Sequence, residues 1–260
     1  MARKDQWYNR AKQQGYRTRA SFKLKQLDQR EGLFGPGNTV VDLGAAPGGW
    51  IQVAAEEVGE GGKVIGVDFQ RIKGFGDEYD AEIETIKGDM TEDDTKERVK
   101  ELAGGEVDVV ISDMAPNMTG EYNLDHARSV YLARQAFETA LDVLDTGGDF
   151  AVKVFQGPDV DDLRKDMEKE FQYVRTTTPK ASRDESSETY LIAKHRLTAP
   201  VREGDVLSVT IEDVGSEGDG IAKVEGYTLF VEGVETGDEL DIEVTGLKPR
   251  FGFAKPVDEE

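Results

Sequence analysis

Asp42-Leu43-Gly44-Ala45-Ala46-Pro47-Gly48-Gly49-Trp50 is the stretch whose reading decides the fold. Just ahead of it, Thr39-Val40-Val41 leads into Asp42-Leu43 as a short buried strand. Behind it, Ile51, Ala54, Ala55 and Val58 recur at helical spacing. Strand, glycine turn and helix in that order open an α/β ligand-binding unit. Glycine lets the backbone approach a ligand closely, and the helix start presents unpaired N–H groups. An ordinary strand-to-helix turn has the same composition, so the rest of the chain must decide between the two.

Moving outward, residues 63–68 form a second apolar strand closed by Asp68, about twenty residues past the glycines, where dinucleotide folds set a carboxylate on a ribose. Residues 83–89 and 107–113 read as a third and a fourth strand ending at Asp89 and Asp113. Any one of these acids could be a turn or N-cap aspartate. Asp42, Asp68, Asp89 and Asp113 together suggest the carboxyl-end crevice of a parallel sheet. A long helix is expected over 124–144, stopped by Gly147-Gly148. Residues 150–155 make a fifth strand with Lys153 among Ala, Val and Phe, where burial disfavours the charge unless the lysine is paired or working. Val160, Leu163, Met167 and Phe171 mark a further helix, and residues 173–176 and 188–193 a closing strand pair. That pair suggests an antiparallel edge on a mostly parallel sheet.

Composition narrows the chemistry. The 260 residues suffice for one large α/β domain and a small module. Without cysteine there is no disulfide framework, thiolate metal site or cysteine nucleophile, and with only His126 and His195 no metal centre is expected. Neither a membrane-length apolar run nor a signal-peptide stretch is present, so a cytoplasmic protein is expected, with monomer as the default state. The net charge of −21 is uneven. Residues 1–30 hold nine basic and two acidic side chains, whereas from Arg196 onward there are six basic and sixteen acidic ones. So general an acidic surface suggests a salt-loving source.

The basic segment interleaves aromatics with Arg and Lys, from Trp7-Tyr8-Asn9-Arg10 through Arg17 and Arg19 to Ser21-Phe22-Lys23-Leu24. This composition suits phosphate contacts and base stacking. Ala20, Leu24 and Leu27 also fit an amphipathic helix packed on the domain, and composition does not separate the two. Beyond a linker expected at 196–200 the texture changes to short alternating strands at 206–211, 227–231 and 240–244, then Phe251-Gly252-Phe253, suggesting a small β-barrel over 201–260.

In family order, five motifs resemble the RrmJ/FtsJ ribosomal RNA large-subunit methyltransferases E: Arg19-Ala20-Ser21-Phe22-Lys23-Leu24, Asp42 to Trp50, Gly66-Val67-Asp68-Phe69, Ser112-Asp113-Met114-Ala115-Pro116-Asn117 and Lys153-Val154-Phe155-Gln156-Gly157. The resemblance covers residues 1 to about 194. It implies an S-adenosylmethionine-dependent ribose 2′-O-methyltransferase on a Rossmann-like, mostly parallel α/β sheet whose last strand is antiparallel. It further implies a catalytic set of Lys23, Asp113, Lys153 and Glu188, with Lys153 as base. Donor contacts are implied at Gly48, Trp50, Asp68, Asp89 and Asp113. The substrate implied is a uridine of the A loop in 23S ribosomal RNA, on the large subunit. Residues 199–255 resemble a TRAM domain through Glu217-Gly218-Asp219-Gly220-Ile221-Ala222 and Gly237-Asp238-Glu239-Leu240, which implies RNA binding. Within it, Lys248-Pro249-Arg250-Phe251-Gly252-Phe253 pairs cations with aromatics as the expected contact strip.

Other classes fit less well. A nicotinamide dehydrogenase would carry Gly-x-Gly-x-x-Gly, and the spacing of Gly44, Gly48 and Gly49 differs. For an exocyclic-amine methyltransferase, Asp113-Met114-Ala115-Pro116 is the wrong motif. Transfer to tRNA anticodon-loop riboses, a non-catalytic RNA-binding or assembly protein, and a buried ion-pair cluster that only fixes packing remain as alternatives.

Overall fold

The computed structural model describes residues 6–105, 107–182 and 187–257. Arg3 and Lys4 of the basic segment lie outside the described residues. Helices α1 (Gln6–Gln13) and α2 (Ser21–Glu31) precede β1 (Thr39–Leu43), α3 (Gly49–Val58), β2 (Lys63–Asp68), β3 (Glu82–Lys87), α4 (Asp93–Ala103) and β4 (Val109–Ser112). Then come α5 (Tyr122–Val143), β5 (Asp149–Phe155), α6 (Val160–Glu168), β6 (Phe171–Thr177) and β7 (Glu188–Arg196). The seven strands form one sheet in the order β3-β2-β1-β4-β5-β7-β6.

Alternation along the strands divides the core. Val40, Val64, Val109, Ile111, Ala151, Tyr190 and Ile192 pack against the α1–α3 side, where Leu24, Leu27, Ile51 and Ala54 meet them. Val41, Leu43, Ile65, Val67, Val110, Val152 and Leu191 face the other way, onto residues of α4 to α6 such as Val99, Phe137 and Leu163. Burial on both faces accounts for the near-continuous apolar runs.

One expectation is met here and two are corrected. As expected, the closing pair makes an antiparallel edge on a mostly parallel sheet: β7 pairs antiparallel with both β5 and β6 and fills the slot between β5 and the outer strand β6. Its first seven residues are all buried, so it belongs inside the sheet, whereas β6 alternates buried and open positions as an edge strand can. Phe171 starts β6 rather than ending α6; it joins the same core as Met167, which is why the spacing looked helical. Finally, α5 ends at Val143 because Leu144 turns extended (φ −71°, ψ 136°) and buries its side chain. Gly147 comes later, at φ +90° in the turn to β5.

A second sheet follows, built from β8 (Val206–Thr210), β9 (Asp213–Val214), β10 (Gly220–Val224), β11 (Tyr227–Val231), β12 (Glu239–Leu247) and β13 (Phe251–Pro256) in the order β8-β12-β13-β11-β10-β9. It curls around Ile211, Ala222, Leu229, Val231, Ile242 and Val244. Among the described residues no ladder joins β8 to β9 or β10, so the expected barrel is a half-barrel. The 196–200 stretch is packed rather than free, since Leu197, Ala199 and Val201 are buried in this second core.

The two sheets join at Arg196, whose N–H donates to Gly148 O at 2.8 Å while its carbonyl accepts Gly147 N–H at 2.9 Å. Gly147 and Gly148 precede β5, so the half-barrel hangs at the amino ends of the parallel strands. Ligand crevices of such sheets open at the carboxyl ends.

Candidate active site

At the carboxyl ends, four charged side chains converge from four elements. Lys153 points from β5 toward the α2 side of the sheet, directly across the ladder from Tyr190 on β7. Its Nζ lies 2.9 Å from Asp113 Oδ1 and donates to the Asp113 main-chain carbonyl at 2.5 Å. Lys23 enters from α2 and places Nζ 2.8 Å from both carboxylate oxygens of Glu188 and 3.9 Å from Asp113 Oδ2. Glu188 opens β7 opposite Phe155. Both lysine side chains are only 7% exposed, so each carries its counter-charge at contact distance, as a buried cation must. Two cations and two carboxylates balance. Lys23, Asp113, Lys153 and Glu188, distant in sequence, are one cluster in space.

Tyr190 belongs to this cluster, and sequence reasoning missed it. Its hydroxyl donates to Asp113 Oδ1 at 2.7 Å. Burial first, then the negative charges of Asp113 and Glu188, push the phenol well above its ordinary value, so it stays a hydrogen donor. An aromatic in an apolar strand looks like core, and Tyr190 is also core. The available signal was that a buried tyrosine hydroxyl needs an acceptor.

Beside the cluster lies a cleft of about 660 Å³, lined by Asp68, Asp89 and Asp113 with Phe69, Met90, Met114 and Leu132 among others. The Asp68 carboxylate accepts Ala46 N–H at 2.9 Å and Gln70 N–H at 2.7 Å. Asp89 Oδ1 accepts the Thr91 amide and hydroxyl at 2.9 and 2.8 Å. Each carboxylate is thereby oriented, with acceptor capacity left for a ligand. Gly44 stands in this wall at φ +77°, and a Cβ there would lie 2.1 Å from Met114 Cγ.

Asp42 departs from the four-acid expectation. It lies inside β1, paired with Gly66 and Ile111, and is buried rather than lining the cleft. Burial, then Asp113 and Asp68, raise its carboxyl well above the ordinary value. Its Oδ2 has no hydrogen-bond partner among the described residues.

Gly48 and Trp50 do not line the cleft either. Gly48, at φ +106°, faces Arg17 and Phe75, which a Cβ would meet at 2.7 Å. The Trp50 indole is buried; it donates to Ala20 O at 2.9 Å and stacks on Tyr190 at 6.0 Å, behind the cluster. Gly48 shapes the loop and Trp50 supports Tyr190.

Arg17, expected on RNA, is engaged internally. Its guanidinium donates to the carbonyls of Pro47, Lys73 and Gly74 at 2.9, 2.6 and 2.7 Å and lies 3.7 Å over the Phe75 ring. It staples the glycine loop to the segment after β2. Arg19 donates to Ala181 O at 3.1 Å, and its charge acts on Tyr190. Lys248 and Arg250 are on the half-barrel beside Phe251 and Phe253, which with Phe230 form an aromatic cluster with ring separations of 5.6 to 6.2 Å. The strip exists, but it lies at the opposite end of the sheet from Lys153. No group of side chains that could hold a metal ion occurs among the described residues.

Residues 16–196 match the model of the FtsJ-like methyltransferases, and residues 200–257 that of the TRAM domain. The chain is 65% identical over 258 residues to the ribosomal RNA large subunit methyltransferase E of Natronomonas pharaonis, covering 99% of this chain and all of the relative. The protein of the same description from Haloarcula marismortui is 61% identical over 264 residues, again with 99% and 100% coverage. Among solved structures, a Plasmodium falciparum protein assigned as a ribosomal RNA methyltransferase superposes with a TM-score of 0.60 at 26% identity, over 70% of this chain and 98% of its own.

Proposed function

The chain belongs to the FtsJ-like methyltransferase family with a TRAM domain appended, and from that premise we propose that it transfers a methyl group from S-adenosylmethionine to the 2′-hydroxyl of a uridine in the A loop of 23S ribosomal RNA, on the large subunit. The observation that carries this reading is the cluster itself: a buried lysine held by Asp113 at the edge of a cleft that suits the donor.

The cleft fits the donor by size and by chemistry. About 660 Å³ lies within the usual range for a bound cofactor. Asp68 and Asp89 offer acceptors to ribose hydroxyls and an exocyclic amine, and Phe69, Met90 and Leu132 offer apolar surface to a base. Asp113 would offer negative charge to a cationic donor in the cleft. When bound, the donor supplies an electrophilic methyl group.

The remaining work falls to the protein. A ribose hydroxyl is a weak nucleophile, so its proton must leave as the new bond forms. To serve as base, the Lys153 ammonium must first release one proton to solvent; the free amine would then keep one N–H on the Asp113 carbonyl and take the hydroxyl proton onto Nζ. Asp113, fixed by the Tyr190 hydroxyl, then faces the ammonium that results. Lys23, held by Glu188, offers N–H groups that orient the ribose. These contacts would fix the orientation of the acceptor hydroxyl, and positioning of that kind contributes much of the rate.

The test uses methyl-labelled donor and large subunits from a strain lacking the gene. Label should enter 23S RNA at one A-loop linkage that becomes resistant to alkali. Label in a base, or in tRNA alone, would overturn the assignment.

A further inference from the structure

Tyr122, the first residue of α5, is 57% exposed, yet its ring is held on two sides. One face stacks on the buried His126 ring at 6.4 Å with an interplanar angle of 12°. Its hydroxyl donates to Gln156 O at 2.7 Å. His126 is itself fixed, because Nδ1–H donates to Phe155 O at 3.0 Å and Nε2 faces Asp159 at 3.2 Å. More than half of this side chain stays open to solvent although its ring is fixed at two points. The ring is immobilised with a face left open.

Its place in the fold matters as much as its geometry. Gln156 follows Lys153 by three residues, and its N–H donates to Ser187 O at 2.7 Å, immediately before Glu188. Tyr122 is thus joined through one residue to both ends of the catalytic cluster. It is not part of the donor cleft. The loop leaving β4 is fastened to the same helix, with Asp125 accepting Thr119 N–H at 2.8 Å and Gly120 N–H at 3.0 Å. The Thr119 amide foremost holds the Asp125 carboxyl below its ordinary value, so this clasp persists across neutral pH.

We propose that Tyr122 is a stacking platform for an unpaired base of the RNA substrate, next to the nucleotide whose ribose enters the cluster. Lys153 sits in a recess, so a ribose that reaches it must be drawn out of a regular helix, and the flanking bases lose their stacking partners. A flat aromatic face beside the recess replaces one of them, as single-stranded RNA recognition commonly requires. Because the ring is already held, little side-chain entropy is lost when a base arrives. The inference rests on the ribose-transfer reading for its RNA and adds a substrate contact absent from the catalytic cluster.

The experiment compares Tyr122→Ala, Tyr122→Leu and Tyr122→Phe in concentrated potassium chloride. A fluorescent single-stranded A-loop oligoribonucleotide reports affinity by anisotropy, and large subunits report kcat and KM. Tyr122→Ala and Tyr122→Leu should each weaken RNA binding and raise KM about tenfold. Tyr122→Phe, which keeps the ring, should stay within about twofold, and donor affinity should be unchanged in all three. Wild-type RNA affinity in Tyr122→Ala overturns the platform, and so does full affinity in Tyr122→Leu, which keeps apolar bulk without a ring. Anisotropy needs no turnover, so a platform that fails leaves methyl transfer standing. A protein that binds RNA through Tyr122 but transfers no methyl group overturns the transfer reading alone.

Discussion

At the scale of single residues, the protein sets two buried ionisable groups of unlike kind on the same face of the sheet. Lys153 and Asp42 are both buried ionisable groups in apolar strands, but Lys153 has Asp113 at 2.9 Å and Asp42 has no partner for Oδ2. Lys153→Met, which keeps the stem and removes the amine, should lower methyl transfer by roughly 10²- to 10⁴-fold, the share general-base catalysis contributes. Donor affinity measured by calorimetry should not move. Asp42 makes a prediction of opposite kind. Its folded carboxyl titrates above the unfolded one, so the folded state holds the extra proton, and stability falls as pH rises from about 4 upward. Asp42→Asn removes that dependence: its melting temperature should match the wild type in acid and exceed it increasingly toward pH 8. Equal slopes would contradict the buried, protonated carboxyl. Lys153 was legible because a cation in an apolar strand demands an explanation. Asp42 was not, since an acid at a strand's carboxyl end reads alike whether it faces ligand or core. Strand parity, which puts Asp42 beside Val40 under α3, was the clue.

Among the elements, the N-terminal helices bear on the glycine loop more than on any surface. Ser21 Oγ donates to Gly49 O at 2.8 Å, Trp50 donates to Ala20 O, and Arg17 grips three carbonyls. Arg17→Lys cannot reproduce that fork, because an ammonium lacks the planar spread of a guanidinium. The variant should bind the methyl donor about tenfold more weakly, a loss in keeping with severed charge-assisted hydrogen bonds. Its RNA affinity should change much less; the reverse pattern would return Arg17 to the RNA surface. Composition could not reveal this, because an arginine stapled to carbonyls and one offered to phosphate leave the same letter in the sequence. The strands and their order were more readable than their partners. Periodicity located β1 to β7, while the slot taken by β7 depended on its two-faced burial, and the ends of α5 and α6 on where Leu144 and Phe171 reach the core.

For the whole molecule, charge and architecture make separate demands. With 53 acidic and 32 basic side chains, self-repulsion must be screened, and the relatives from Natronomonas and Haloarcula carry the same two-part chain. Lowering the salt from molar to millimolar concentration should unfold the protein cooperatively, as read by circular dichroism. The half-barrel adds a geometric demand. Glu188 and Arg196 are the two ends of β7, roughly 26 Å apart at the usual strand rise, and the ladders with β5 and β6 flank that length. Phe251→Ala should weaken methylation of the intact large subunit about tenfold, by the worth of one stacked base, and leave a short A-loop fragment unaffected. At the root of the module, Asp149 accepts His195 N–H at 2.9 Å and pairs with Lys194, which also donates to Gly32 O at 2.8 Å. The strand is therefore a caliper with a braced jaw. On the proposed reading its gauge is nine residues of backbone: an RNA held at both the lysine cluster and the half-barrel would qualify by presenting two features at one spacing, and a lengthened β7 would select a different molecule without altering a side chain of the cluster.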